Sequence, residues 1–195
     1  MQRFILLVLT IVLIASFTSC SADDATQCIE NAFQEIKEAF DNIEQSGDGE
    51  TIFKSKNGMF ILENDATLSS EYTLKGKTLD LNNHTLVLED TLFMESGSTV
   101  KNGTIIMKGS CCTAISANGA NITLDNIEME VSASYDAIGI YTCREITIKN
   151  SKIITTTTVS TANTSAFAVK GTLLGEASVI DSELFASVQY GTAMA

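Results

Sequence analysis

Between residues 81 and 184 one six-residue pattern recurs five times: an apolar residue, any residue, Asn or Asp, two further residues, then an apolar residue. It reads Leu81-Asn82-Asn83-His84-Thr85-Leu86, Val100-Lys101-Asn102-Gly103-Thr104-Ile105, Leu124-Asp125-Asn126-Ile127-Glu128-Met129, Ile148-Lys149-Asn150-Ser151-Lys152-Ile153 and Val179-Ile180-Asp181-Ser182-Glu183-Leu184. The third positions, Asn83, Asn102, Asn126, Asn150 and Asp181, are 19, 24, 24 and 31 residues apart. A repeat of this length marks a chain built from one small unit that buries its apolar side against the units before and after it.

The residues around the hexads are those of strands. Thr51 to Phe53, Met59 to Leu62, Thr78 to Leu81 and Thr85 to Leu88 are short, β-branched or apolar runs bounded by small polar turns. A second motif lies between the hexads, at Ala114-Ile115-Ser116, Ala137-Ile138-Gly139-Ile140, Ala166-Phe167-Ala168-Val169 and Thr192-Ala193-Met194. The chain has no proline, so no strand is barred by a missing donor. Three short strands per repeat predict an all-β solenoid over residues 50–195. The Leu-rich consensus of a leucine-rich repeat is missing. Ser187 to Ala195 align with the start of the second motif, so the last strand begins a new turn, and residues 50–195 are expected to be the first part of a longer stack.

Two other segments precede the repeats. Arg3, the apolar run Phe4 to Phe17 and the small residues Ser19 to Ala22 form a secretory leader over residues 1–22. Two exits fit it: lipidation of Cys20 within Phe17-Thr18-Ser19-Cys20, or plain cleavage after Ala22. Residues 23–46 then read as one amphipathic helix, with Ile29, Phe33, Ile36 and Phe40 on a single stripe. Its expected role is to cap the open end of the first repeat.

Four features together resemble the pectate-lyase-like right-handed parallel β-helix superfamily: the helix, Gly47-Asp48-Gly49-Glu50-Thr51-Ile52, Gly58-Met59-Phe60-Ile61-Leu62, and the coils carrying an asparagine at one turn. The resemblance implies a right-handed parallel β-helix with an N-terminal capping α-helix. It implies no single activity, because the superfamily holds lyases, hydrolases, adhesins and phage spikes. It implies that Asn83, Asn102, Asn126 and Asn150, with Asp181 at the fifth position, form an inward structural ladder at the bend. It also implies that any active site lies on the outer face of the Ala114, Ala137 and Ala166 strands. With Ile138 and Phe167 pointing inward, that face would present Ala114, Ser116, Gly139, Tyr141, Ala166 and Ala168.

That face lacks a carboxylate pair, and the loops around it supply only Asp136 and Arg144 as candidates for acid–base work. Tyr141 and Lys170 are the candidates for ligand contact. The Asp pairs and Gly-His-Gly of polygalacturonases, and the aspartate cluster of calcium-dependent pectate lyases, have no counterparts. The single histidine, His84, has no nucleophile or ligand cluster in sequence around it. No Cys-x-x-Cys pair marks a metal site, and no cofactor motif occurs. The net charge of −12 excludes nucleic acid as a partner, since phosphate contacts need clustered Lys and Arg.

The sequence therefore predicts an exported protein, secreted or at the cell surface, adhesin-like or carbohydrate-binding, with no catalysis evident in these coils. Its partners would be a polysaccharide or a cell-surface glycan, with membrane contact only through a lipid on Cys20. The alternative is the N-terminal portion of a polysaccharide lyase or glycoside hydrolase.

Overall fold

The computed structural model describes residues 52–159, 164–172, 176–188 and 191–194. The chain divides into two units, Met1–Ser46 and Gly47–Ala195. The leader, Cys20 and the expected helix all lie outside the described residues. The second unit is all-β: β1 (Phe53–Lys56), β2 (Met59–Leu62), β3 (Ala66–Leu68), β4 (Tyr72–Leu74), β5 (Thr78–Asp80), β6 (Thr85–Leu88), β7 (Leu92–Met94), β8 (Thr99–Ala117), β9 (Ile122–Thr142), β10 (Glu145–Lys149), β11 (Lys152–Thr157), β12 (Thr164–Gly171), β13 (Glu176–Ile180), β14 (Glu183–Ser187) and β15 (Gly191–Met194).

The strands pair in three files, and pairing within each file joins successive repeats. The first file runs β2, β5, β8, β9, β10, β13; the second β3, β6, β8, β9, β11, β14; the third β4, β7, β8, β9, β12, β15. The long strands β8 and β9 take part in all three. Every pairing in these files is parallel; the hairpin of β1 with β2, turned at Asn57 and Gly58, is antiparallel.

Register stacks like on like. Phe60, Leu79, Val100, Leu124 and Ile148 are successive partners in the first file, and Leu86, Ile105, Met129 and Ile153 in the second. All nine are buried. Each large apolar side chain removed from water contributes about 1.5–3 kcal/mol, and each covers the one a strand spacing away. The repeat of apolar hexad ends is therefore what builds the core.

The turn between the first and second files is made by the hexad's third residue. Asn83, Asn102, Asn126, Asn150 and Asp181 have φ of 63°, 57°, 56°, 51° and 47°. This left-handed conformation is costly for most side chains and tolerable for Asn and Asp. It also corrects the expected inward ladder. Asn83, Asn126, Asn150 and Asp181 are exposed and Asn102 is half-buried. Here the inward place falls to the next residue: Ile127 and Ser151 are buried. At Gly103 a Cβ would lie 2.5 Å from the Leu81 Cβ, so only glycine fits.

Candidate functional site

The third file holds the candidate residues, and burial defines its two sides. Ala114, Ala166 and Ala168 are completely buried and Gly139 is buried too, whereas Ile138 and Phe167 are half-exposed. This corrects the expected facing of that strand. The reason is space at one corner: a Cβ on Gly139 would lie 2.7 Å from the Ala168 carbonyl oxygen and 2.8 Å from Ile153 Cγ2. Small residues fill the inside, Gly139 and Ile140 both turn inward, and the larger Ile138 and Phe167 go out.

Two rows of side chains result on the outer face. One contains Thr73, Phe93, Ser116, Tyr141 and Lys170, each the direct partner of the next. The other contains Thr113, Ile138, Phe167 and Met194 in the same relation. The structure thus brings Tyr141 and Lys170 together as cross-strand neighbours. The Lys170 ammonium lies 4.9 Å from the centre of the Phe167 ring, so that a cation sits on an aromatic face. Ser116, flanked by Phe93 and Tyr141, is buried, and its hydroxyl donates to Asn118 Oδ1 at 3.3 Å.

Asp136 and Arg144 are not brought together. Asp136 lies near the start of the third-file segment of β9 and accepts a hydrogen bond of 2.5 Å from Ser165 Oγ. Arg144 lies exposed in the turn beyond the strand's other end, where its carbonyl accepts from Thr142 Oγ1 at 2.7 Å. The six residue-to-residue steps from Asp136 to Thr142 span about 20 Å of strand. One reacting atom therefore cannot meet both groups.

At the end of the third file the turns of successive repeats enclose a shallow depression of about 560 Å³. Lys75, Gly76, Glu95, Ser96, Asn118 and Gly119 line it. The Cys143 thiol approaches Asn118 Oδ1 at 3.6 Å from the next repeat. Asn118 thus links the depression to Ser116 in the row of rings.

The opposite feature is a charged row on the first file. Asp80, Lys101, Asp125 and Lys149 are successive partners, with ion pairs of 3.3 Å for Lys101–Asp80 and 3.0 Å for Lys149–Asp125. The asparagines of the turns tie into it. Asn102 donates to Asp80, Asn126 to Asn102, and Asn150 to Asp125, at 3.2, 3.2 and 3.0 Å. Partial burial pushes the Asp80 carboxyl up, but the Asn82 N–H, the Asn102 amide and Lys101 outweigh it and hold the group below the usual carboxylate range. For Asp125 the Asn150 amide is the main cause of the same lowering, with Lys149 and Lys101 assisting against burial. Every charge here has a partner, which makes this row a seam between repeats.

His84 completes a surface pair with Asp65 at 3.3 Å. Among the described residues no three His, Cys, Asp or Glu side chains converge to hold a metal ion. The row of rings was partly missed in the sequence: Phe93 has no place in the hexad or the second motif. The register signal that finds it is its position one after Leu92, matching Ser116 after Ile115 and Tyr141 after Ile140. Comparison of the chain with protein-family models, with curated proteins and with solved structures finds no match.

Proposed function

We propose that this chain is an exported, surface-facing protein whose strands form a short right-handed parallel β-helix, and that it binds carbohydrate on the outer face of the third file. The three-file parallel pairing with a shift of one repeat per step is the pattern a β-helix needs, and parallel crossovers are right-handed in nearly all proteins. Export is supported by the leader at residues 1–22.

One observation carries the binding assignment: Phe93, Ser116, Tyr141 and Lys170 stand in register on one face. Aromatic rings with a few directed polar groups are how proteins hold sugars, because rings cover apolar sugar faces and hydroxyls or amines fix orientation. The separation of Asp136 from Arg144 favours binding over acid–base catalysis on this face.

A glycan array probed with the exported chain and with Tyr141→Ala tests the assignment. The parent is expected to bind a subset of glycans that the variant loses. Turnover of a uronate polymer by the parent would instead favour the lyase or hydrolase alternative. Labelling with a fatty-acid analogue in a bacterial host tests the anchor, with label expected on the parent and not on Cys20→Ser.

A further inference from the structure

The two rows on the third file also constrain what kind of glycan fits, an inference that rests on the carbohydrate-binding assignment. Phe93 and Tyr141 are two strands apart with the small Ser116 between them, which sets the rings about 10 Å apart along the direction that crosses the strands. Neither row contains a carboxylate: the positions are Thr73, Phe93, Ser116, Tyr141 and Lys170, and Thr113, Ile138, Phe167 and Met194. The one cation, Lys170, is drawn over the Phe167 ring. The chain as a whole is strongly acidic, with a formal charge of −12.

We infer that the ligand is an uncharged, extended polysaccharide that lies across the strands and stacks alternate sugars on Phe93 and Tyr141. A sugar between the two rings passes above Ser116, whose side chain is small and buried. Lys170 then donates to a hydroxyl at one end of the site. A polyanionic chain is disfavoured, because a single ammonium already engaged with a ring does not offset repulsion from the surrounding negative field.

The test is affinity electrophoresis of the exported full chain in gels containing a neutral glucan, xylan or mannan, or the acidic polymers polygalacturonate or alginate. A neutral polymer is expected to retard the parent, equally at about 50 and 500 mM NaCl. Phe93→Ala and Tyr141→Ala are each expected to weaken this about tenfold, the loss of roughly one stacked contact. Tyr141→Phe keeps the ring and should bind like the parent, and it guards against a folding defect in the alanine variant. Salt-sensitive retardation by acidic polymers alone would overturn this inference while leaving carbohydrate binding intact. A loss in Tyr141→Phe equal to that in Tyr141→Ala would overturn the stacking. Retardation by none of the polymers would remove both this inference and the assignment beneath it.

Discussion

The Asn126 side-chain amide donates to Asn102 Oδ1 across 3.2 Å, from one repeat to the one before, and Asn126 is exposed while it does so. An exposed hydrogen bond contributes little net stability, since water replaces it when it is lost. What Asn126 supplies is its φ of 56°. Asn126→Leu is therefore expected to cost about 1–2 kcal/mol, the penalty of a left-handed side chain, and Asn126→Gly less than about half of that. Denaturant midpoints of the two variants decide it. If the glycine variant is the less stable one, the amide rather than the backbone is what matters.

Close stacking of turns predicts a larger effect at Gly119. A Cβ there would sit 2.0 Å from the Ser96 backbone nitrogen and 2.5 Å from the Ser96 Cα. Backbone cannot rotate aside as a long side chain can, so Gly119→Ala should cost about 3 kcal/mol or more, at the upper end of overpacking penalties. Gly58 in the β1–β2 turn is the comparison. A Cβ there meets nothing within 4 Å, although φ is 74°, and Gly58→Ala should cost about 1 kcal/mol from the backbone alone. Thermal melts in which Gly119→Ala loses no more than Gly58→Ala would count against the tight packing of these turns.

Much of this arrangement was legible because register follows from the hexads. Aligning the hexads stacks Lys101, Asp125 and Lys149, and likewise Glu128, Lys152 and Glu183, and both sets are direct partners in the structure. What the sequence hid was facing. Alternation tells inside from outside only while the strand is regular, and the errors fall where it is interrupted. A left-handed residue at Asn126 turns the ladder outward. Gly139 and Ile140 both turn inward, and that shift reverses the expected facing of Ile138 and Phe167. The candidate site suffered most, because a row of rings across strands has no signature along the chain. Tyr141 and Lys170 are 29 residues apart in sequence and adjacent in space.

Cys111 and Cys112 are neighbours in sequence with opposite surroundings. Cys111 is exposed; Cys112 is buried, and burial, with Cys111 beside it, pushes its thiol up. Because the thiolate is the reactive form, iodoacetamide at neutral pH should modify Cys111 at least about tenfold faster than Cys112 in the folded chain, with the difference vanishing in denaturant. Peptide mass spectrometry over time reads both sites. Equal rates in the folded state would place Cys112 at the surface.

The charged row makes stability depend on pH in a defined direction. Asp80 and Asp125 are both held below the usual carboxylate range, so each favours the folded state when ionised. Their contribution is full above the unfolded carboxylate value of about 4 and is lost as pH falls through the lower folded values. Asp125→Asn tests this, because it keeps the shape and removes the charge that Lys149 meets at 3.0 Å. At pH 7 the variant should be less stable than the parent by about 1 kcal/mol or less, in line with a partly exposed ion pair. At an acid pH below the lowered folded value the parent's carboxyl is itself protonated, and the two stabilities should converge. Urea melts at both pH values measure the gap. A gap that stays constant from neutral to acid pH would mean that Asp125 acts through shape and hydrogen bonding to Asn150, with its charge contributing nothing to the seam between repeats.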